Sequence, residues 1–348
     1  METDILKKEL SALSASKLKT LENCSWLYWC NYHLKIPQEQ NEGAKKGEVC
    51  HSIFELLIKK KHMTKVANIV KSDSIVGCKA VERLVKIYLK KLKLSSSSDM
   101  LRHIDAMILV GLKNDFYVKD GTLVSPEYKF DIVNDKFRIK GFMDKPYIVG
   151  DKIIIDDFKS SKKKFEGEDE ESNIQALMYS FAAKKIWPQL TPIVRFIFLQ
   201  YPENPMMEVK FSNDALLGFE YYLEAMQERV NNFNISTAKD AFAADVKPHD
   251  NGFNGKLLCG FAKTPNQKKK DGTKMWGCPY KFKYQYYAVI DKNNKILYTT
   301  LKASDLKPTE EGETVEMREY EGCPRHKNVL DNFSQETNKK FPNVLDDW

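Results

Sequence analysis

The sequence predicts an α/β protein, a β-sheet covered by helices, because the apolar pattern changes twice along the chain. Up to about residue 120, apolar side chains recur at the three- and four-residue spacing of amphipathic helices. Between residues 122 and 159 they alternate or run together, as in strands. A helix at about 171–187, a buried strand at 193–201 and a long helix at 212–234 complete the order that is typical of such a sheet.

Individual elements follow from the same spacing. We expect helices over residues 14–35, from near Gly47 through Ile58, and over 76–93 and 99–117. The strands are predicted as a meander through KFRIKGFMD at 136–144, PYIV at 146–149 and KIIIDDFK at 152–159. Gly150–Asp151 is the expected turn between the last two strands.

Length and composition restrict the class of protein. The chain has 348 residues, 42% of them hydrophobic, and a formal net charge of +7, which permits a polyanionic partner without requiring one. We find no apolar run long enough for a membrane helix and no secretory signal. Seven cysteines without a regular framework argue against a secreted disulfide scaffold. These features predict a soluble cytoplasmic protein without a membrane partner.

The C-terminal third differs in amino-acid composition from the rest of the chain. Residues 248–279 are rich in Gly, Lys, Asn and Pro, and a β-hairpin is predicted over 284–298. The aromatic and lysine residues of WGCPYKFKYQYY at 276–287 could stack on unpaired bases, although the packed face of the hairpin is the favoured interpretation. We therefore predict one domain over 1–245, made of a helical lead-in (1–120) and a core (121–245), and an accessory region over 246–348.

An acidic residue two positions before a lysine occurs at several places in the chain. The copies are Glu127–Lys129, Asp157–Lys159, Glu208–Lys210, Asp245–Lys247 and Asp305–Lys307. Only Asp157 ends an apolar strand and has a second acid, Asp144, at the end of the preceding strand. Strand alternation places Asp157 and Lys159 on one face and Asp156 with Phe158 on the other.

This arrangement suits phosphodiester hydrolysis. Carboxylate oxygens bind Mg²⁺ and leave positions for water and phosphate, and the metal activates water while a nearby lysine stabilises developing charge. The alternative is a surface salt bridge between Asp157 and Lys159, with Asp144 as a turn residue. These three residues alone leave both interpretations open.

Four motifs in series resemble the RecB-like branch of the PD-(D/E)XK nuclease superfamily, over roughly residues 13–201. The opening helix of that branch is similar to LSASKLKTLENCSWLYW at 13–29, and its G-x-x-x-H helix to GEVCHSIFELL at 47–57. Its two acidic-lysine strands are similar to GFMDKPYIVGDKIIIDDFKSS at 141–161, and its Q-x-x-x-Y helix to QALMY at 175–179. Met143 stands before the first acid, where the family usually has a small residue or proline.

The resemblance implies a restriction-endonuclease-like core: a central mixed β-sheet flanked by helices, here with an N-terminal helical region and a C-terminal accessory region. It implies Mg²⁺ or Mn²⁺ as the cofactor. The implied metal ligands are His51, Asp144, Asp157 and the carbonyl of Phe158, and the implied catalytic set is Asp144, Asp157, Lys159, Gln175 and Tyr179. Glu127 could be a further acid that contacts these ligands and not the metal itself.

Each implied role has a plain structural alternative. Lys159 would be the catalytic lysine, and Gln175 with Tyr179 would position the catalytic strand and DNA. His51 could instead be a structural histidine on an amphipathic helix, and Gln175 and Tyr179 could simply cap and pack. The motifs taken together favour the functional interpretation.

The cysteines raise a separate question. Some RecB-like nucleases, among them AddB-type and CRISPR-adaptation exonucleases, bind a [4Fe–4S] cluster through one early and three late cysteines, which would correspond here to Cys24, Cys259, Cys278 and Cys323. Their late cysteines are closely spaced, and this sequence lacks that spacing. Structural Zn²⁺ on Cys259, Cys278, Cys323 and His326 and free thiols are the alternatives, and free thiols are the favoured one.

The implied activity is DNA hydrolysis. The resemblance points to an exonuclease on single strands or DNA ends in recombination, repair or phage DNA processing, in a bacterial or phage-infected cell. The chain has no G-x-x-x-x-G-K-[ST] motif, so unwinding would come from a helicase or a recombination protein as partner. The alternative is a catalytically inactive nuclease fold that binds nucleic acid or a helicase. The intact set of Asp144, Asp157 and Lys159 favours an enzyme.

Overall fold

The computed structural model describes residues 10–118, 120–165, 173–243, 259, 262, 264–272 and 274–326. The chain divides into two compact units, Met1–Leu18 with Gln40–Asn231, and Lys19–Glu39 with Asn232–Trp348. Both units are discontinuous in sequence, because the segment 19–39 belongs with the C-terminal part. The division into a domain over residues 1–245 and an accessory region over 246–348 stays a prediction.

The N-terminal part is helical, as predicted. Its helices are α1 (Ala15–Asn23), α2 (Ser25–Tyr28), α3 (Glu42–Leu57), α4 (Met63–Ser72), α5 (Lys79–Lys91) and α6 (Ser98–Lys113). The single helix predicted over 14–35 is wrong, because the backbone is extended at Cys24 and a π-helical turn follows at Trp29–His33. The break has a long-range cause: the Ser25 N–H donates to the carbonyl of Ala241, at 2.8 Å. Helix α4 was not predicted.

Helix α3 brings one face into the core of the first unit. Its buried positions, Gly47, Cys50, Phe54 and Leu57, follow the helical spacing. The side chain of Asn41 caps its N-terminus by accepting a hydrogen bond from the Ala44 N–H at 2.8 Å. The apolar faces of α3–α6 form one core, which also contains residues of the central sheet. Helix α3 therefore lies directly against the strands that carry the candidate site.

The central sheet of the first unit is mixed, as predicted. Its strands are β1 (Thr122–Leu123), β4 (Lys145–Val149), β5 (Lys152–Lys159), β6 (Thr191–Phe198) and β7 (Met206–Val209), in the order β1-β4-β5-β6-β7. Only β5 and β6 pair in parallel. A parallel pair needs a crossover, and helix α7 (Ile174–Ile186) lies between these strands in the chain, while α8 (Asn213–Asn231) follows β7. Gly150, with φ +58°, makes the tight turn between β4 and β5.

The strands before Asp144 do not continue into this sheet. β2 (Tyr128–Val133) and β3 (Arg138–Met143) form a separate two-stranded ribbon. The continuous meander expected over 136–159 is therefore wrong at Asp144, where the chain bends and passes from the ribbon to the sheet. The reason is that Met143 pairs with Tyr128, whereas Lys145 pairs with Asp156.

The second unit contains α9 (Ile235–Asp240) and a three-stranded antiparallel sheet. β8 (Tyr284–Ile290) pairs with β9 (Ile296–Thr300) and with β10 (Thr314–Tyr320). The predicted hairpin is confirmed, and β10 is an additional strand. The buried Tyr320 hydroxyl accepts a hydrogen bond from Trp26 Nε1 at 2.8 Å and donates to the carbonyl of Tyr280 at 2.9 Å. Much of the predicted Gly- and Lys-rich stretch, 248–279, lies outside the described residues.

Across the parts of the chain that the structure describes, none of the helices combines the length and the apolar character that crossing a membrane requires.

Candidate active site

The C-terminal end of β5 carries Asp157 and Lys159 on one face of the central sheet. Lys159 Nζ lies 2.6 Å from Asp157 Oδ2, and Asp157 is only 2% exposed. Asp156 and Phe158 take the opposite face, where Asp156 binds Arg195 and the Phe158 ring packs on that of Phe54, with centroids 4.3 Å apart. The alternation predicted for this strand is confirmed.

Asp144 is held beside β5 by the backbone. The Phe158 N–H donates a hydrogen bond to Asp144 Oδ2 at 3.0 Å. Burial raises the pKa of Asp144 to about 7, and repulsion by the Asp157 carboxylate adds to this. Two carboxylates that repel each other in a buried place are the setting in which a divalent cation is most favourable.

His51 reaches the same point from α3. Its Nδ1 lies 3.2 Å from Asp144 Oδ2, and its Nε2 lies 2.8 Å from the carbonyl oxygen of Phe158. Burial lowers the pKa of His51, but the attraction of Asp144, Asp157 and Glu127, together with the hydrogen bond to the Phe158 carbonyl, outweighs burial and raises the pKa above 6.5. Only a protonated ring can donate to both oxygens, so a cation that binds one of the two nitrogens takes the place of a proton.

Glu127 joins this group, although the sequence suggested only a place behind it. Its carboxylate lies 4.0 Å from His51 Nδ1, and its N–H donates to the carbonyl of Asp144 at 2.9 Å. Its backbone is left-handed, with φ +49°, a conformation that costs free energy in a residue with a side chain. The one sequence signal was its place in an acid-x-lysine copy, which did not distinguish it from the other copies.

Gln175 and Tyr179 project from α7 toward Asp157 and Lys159. Gln175 Oε1 accepts a hydrogen bond from Lys159 Nζ at 2.7 Å, and its Nε2 donates to Asp157 Oδ1 at 2.8 Å. The Tyr179 hydroxyl donates to the same oxygen at 3.2 Å. Burial keeps the pKa of Tyr179 well above 10, so the hydroxyl stays a neutral donor. The helix therefore fixes the acid and the lysine relative to each other.

The donor set fits a small divalent cation. Ligand atoms of His51, Glu127 and Asp144 all lie within 4.8 Å of one another. The carbonyl of Phe158 adds an oxygen beside His51. Asp157 Oδ2 is buried and accepts no hydrogen bond of normal geometry, although the Lys159 ammonium lies close to it. Carboxylate and carbonyl oxygens with one imidazole suit Mg²⁺ or Mn²⁺.

The predicted cysteines all lie in the second unit and form no disulfide. Hydrogen bonds connect the segments that carry them. Ser25, next to Cys24, bonds to Ala241, and the Cys259 thiol bonds to the carbonyl of Ala243 at 3.2 Å. The Cys323 N–H donates to the carbonyl of Lys281 at 3.4 Å, close to Cys278.

Further contacts bring these segments to one place. Arg325 donates to the carbonyl of Ala243 and lies 3.7 Å from the Cys259 sulfur. Burial, together with repulsion from the thiolates of Cys24, Cys323 and Cys259, raises the pKa of Cys278 to about 12. Burial also raises the pKa of Cys323 to about 11. Cys30, which the sequence did not single out, lies close enough to Cys278, Cys323 and Cys24 for them to contribute to the rise of its pKa, which is caused first by burial.

The mixed sheet between helices, with an acid and a lysine at the end of a central strand, is the architecture of restriction-endonuclease-like nucleases. The family model of the PD-(D/E)XK nuclease superfamily matches residues 12–260 of the chain. The chain therefore belongs to the PD-(D/E)XK nuclease superfamily, which is a superfamily of phosphodiester-hydrolysing enzymes.

Two other comparisons were made. The search of curated proteins gave no match. Among solved structures, the chain is similar to one described as "Putative exonuclease" from Eubacterium rectale, with 12% identity, a TM-score of 0.42, and 64% of this chain and 81% of that chain covered.

Proposed function

We propose that this chain is a Mg²⁺- or Mn²⁺-dependent deoxyribonuclease of the RecB-like branch. The observation that carries the proposal is the convergence of His51, Asp144 and the Phe158 carbonyl, next along β5 to the pair of Asp157 and Lys159. A surface salt bridge would not need the buried acid, the histidine and the carbonyl around it. The inactive alternative would not need a lysine held beside the buried acid.

The residues divide the work by their positions. The cation, when bound, supplies charge neutralisation at the phosphate and lowers the pKa of a water. Asp144, Asp157 and His51 would hold it. Lys159, next to Asp157, orients the attacking water or stabilises the charge on the phosphate oxygens. Gln175 restrains that lysine through its 2.7 Å hydrogen bond, so the amine stays close to the cation.

Support for the RecB-like branch comes from the order of its motifs and from the contacts that these motifs make. Gln175 and Tyr179 both bind Asp157, and His51 contacts Asp144, as residues acting at one site would. By analogy with that branch, we propose exonuclease action on single strands or DNA ends, in recombination, repair or phage DNA processing. A helicase or recombination protein would be the partner, in the cytoplasm of a bacterial or phage-infected cell.

Cleavage assays test the proposal. Single-stranded, double-stranded and circular DNA, labelled at either end, are incubated with Mg²⁺, Mn²⁺ or EDTA. We expect metal-dependent cleavage that Asp157→Asn and Lys159→Ala abolish. Cleavage of linear DNA without cleavage of circular DNA indicates an exonuclease.

Asp131→Asn is the matched control, because Asp131 is an acid on the ribbon that pairs with Arg138 at 2.8 Å, away from the metal ligands. It should cleave as the unmodified chain does. Cleavage that persists in Asp157→Asn, or that EDTA does not stop, refutes the proposed site.

We further propose that Cys24, Cys259, Cys278 and Cys323 hold a metal centre, with a [4Fe–4S] cluster ahead of Zn²⁺. What supports this is the hydrogen-bonded convergence of four segments that are far apart in sequence. A set of soft thiolates suits either group. Binding a metal keeps such thiols deprotonated in spite of burial. His326, whose N–H donates to the carbonyl of Cys323 at 2.9 Å, would be a ligand only in the zinc form.

Metal analysis and visible absorption of anaerobically purified protein test the centre. Iron and sulfide together with broad visible absorption indicate the cluster, and zinc without absorption indicates the second form. Cys24→Ala should lose the bound metal, whereas Cys78→Ala, in the first unit, should keep it. Protein that contains neither metal after anaerobic purification overturns this proposal and leaves free thiols.

A further inference from the structure

Three charged side chains cross three neighbouring strands on the sheet face opposite Asp157. Lys145 on β4, Asp156 on β5 and Arg195 on β6 are direct register partners, and they are 1%, 0% and 8% exposed. Asp156 Oδ2 lies 2.6 Å from Lys145 Nζ. Its Oδ1 accepts a hydrogen bond from Arg195 Nε at 2.6 Å, and its Oδ2 accepts one from Nη2 at 3.0 Å. We call these three residues the buried ionic row.

Neighbouring groups complete the charge balance of the row. Arg195 Nη1 lies 3.3 Å from the Asp115 carboxylate, and Lys145 Nζ donates to the Asp115 carbonyl at 3.0 Å. Two cations therefore face two carboxylates. The Tyr147 ring lies 5.2 Å from the Lys145 ammonium and 5.3 Å from the Arg195 guanidinium, positions that favour a cation over an aromatic face.

Stability alone does not explain this row. Apolar side chains of similar volume often stabilise a core as well as a buried ion pair does, because both charges lose their hydration. A specific feature of β5 suggests another role. Its residues 153–155 are three isoleucines, so apolar burial does not distinguish its two faces. Asp156 and Asp157 have identical side chains that must point to opposite faces of the sheet. Lys145 and Arg195 bind only Asp156, so they distinguish the two faces.

The row lies one residue from the candidate metal ligands on both strands. Lys145 follows Asp144, and Asp156 precedes Asp157. Two ionised carboxylates repel each other, so Asp144 and Asp157 oppose the close approach of the ends of β4 and β5. The Lys145–Asp156 pair pulls the same two ends together. The Asp156–Arg195 pair aligns β5 with β6. These two strands are parallel and are joined through helix α7 and not by a tight turn.

We propose that Asp156, held by Lys145 and Arg195, is a positioning residue that keeps Asp144 and Asp157 at cation-binding separation before the cation arrives. The inference rests on the proposed function, because it concerns the affinity of that site for its metal. Asp156 itself does not touch the cation or the nucleic acid.

Mn²⁺ binding, measured by calorimetry and by the paramagnetic resonance of free Mn²⁺, tests the proposal without an activity assay. Asp156→Asn keeps the shape of the side chain and removes the charge that both cations share. We expect its Mn²⁺ dissociation constant to rise about tenfold, the lower end of what loss of an outer support costs a metal site. At saturating Mn²⁺ its kcat should be retained, because the ligands and Lys159 are unchanged. The control variant Asp131→Asn changes the Asp131–Arg138 pair on the ribbon and should bind Mn²⁺ as the unmodified chain does.

A second variant separates positioning from folding. The triple change Lys145→Met, Asp156→Leu and Arg195→Met removes the whole row and leaves no buried charge without a partner, because the Asp115 carboxylate that loses Arg195 is exposed to solvent. Thermal stability should therefore recover relative to Asp156→Asn, while Mn²⁺ binding stays weak. If Asp156→Asn does not fold, Arg195→Lys gives the same comparison, since it keeps the charge and loses the two-pronged contact.

Mn²⁺ affinity equal to that of the unmodified chain, in folded Asp156→Asn or in the triple variant, overturns the proposal. Failure of the proposed function looks different. In that case Asp157→Asn binds Mn²⁺ as well as the unmodified chain does, whatever the row contributes.

Discussion

Replacing a candidate metal ligand should make the metal-free protein more stable. Burial, followed by the repulsion of Asp157, raises the pKa of Asp144 from 3.8 to about 7. A group whose folded pKa is raised above its unfolded value binds its proton more tightly in the folded state. Its contribution to stability is therefore complete below pH 3.8 and is lost as the pH rises through about 7. Asp144→Asn removes this loss.

The magnitude follows from the size of the shift. Each pKa unit is worth about 1.4 kcal/mol, so raising the pH from about 5 to about 8 should cost the metal-free chain about 3 kcal/mol through Asp144. The substituted asparagine retains an oxygen that can accept the Phe158 N–H, which Asp144 accepts at 3.0 Å. His51, whose pKa is also raised, adds a loss of the same sign over this range, and this loss weakens when its carboxylate partner is removed.

Urea unfolding in EDTA, at about pH 5 and about pH 8, measures the effect. The unmodified chain should lose stability between the two conditions, and Asp144→Asn should lose much less and be the more stable at the higher pH. Saturating Mn²⁺ should reverse that order, because only the unmodified chain keeps the full ligand set. Asp131→Asn is the control, because Arg138 lowers the pKa of Asp131 below 3.8. The stability that Asp131 contributes is then the same at about pH 5 and about pH 8, so this variant should show the same loss between the two conditions as the unmodified chain. A flat stability profile for the unmodified chain, or an Asp144→Asn variant that is less stable in EDTA at the higher pH, would refute the reasoning.

Three further outcomes are expected. Gln175→Leu removes partly buried hydrogen bonds to Lys159 and Asp157 and should lower single-turnover cleavage about a hundredfold, at about 1.4 kcal/mol per tenfold; an unchanged rate excludes a positioning role. Gly111→Ala places a methyl 2.3 Å from the Phe54 ring and should cost about 1–3 kcal/mol in urea unfolding, with partial rescue by Phe54→Leu; additive losses contradict this. Trp26→Phe breaks the Tyr320 hydrogen bond and should cost about 1 kcal/mol, visible as a lower thermal midpoint.

The strand that carries Asp157 and Lys159 could be predicted from the sequence because its information is local. Strand alternation depends only on neighbouring residues, so placing Asp157 with Lys159 and apart from Asp156 needed no knowledge of the fold. The helix of His51 was predictable for the same reason, since its buried face repeats at helical spacing. The turn at Gly150 was predictable because glycine adopts a positive φ at little cost.

Elements that depend on long-range contacts were not predictable. No proline or glycine marks the break at Cys24; the Ser25 N–H bonds to Ala241, more than two hundred residues later. The ribbon and the central sheet separate at Asp144 because Met143 and Lys145 pair with different strands, although the sequence through them looks continuous. Glu127 reaches His51 and Asp144 through a left-handed turn that residue type does not indicate.

The sequence by itself determined the α/β class, the helix that carries His51 and the two faces of the catalytic strand, because the period of apolar residues is a local property of the chain. Only the tertiary structure decided that His51 and Glu127 lie close to Asp144, that distant cysteines share one unit, and that Lys145 and Arg195 bind Asp156. Those pairs are far apart in sequence or lie on different strands. Their distances depend on strand pairing and packing, and no local pattern contains that information.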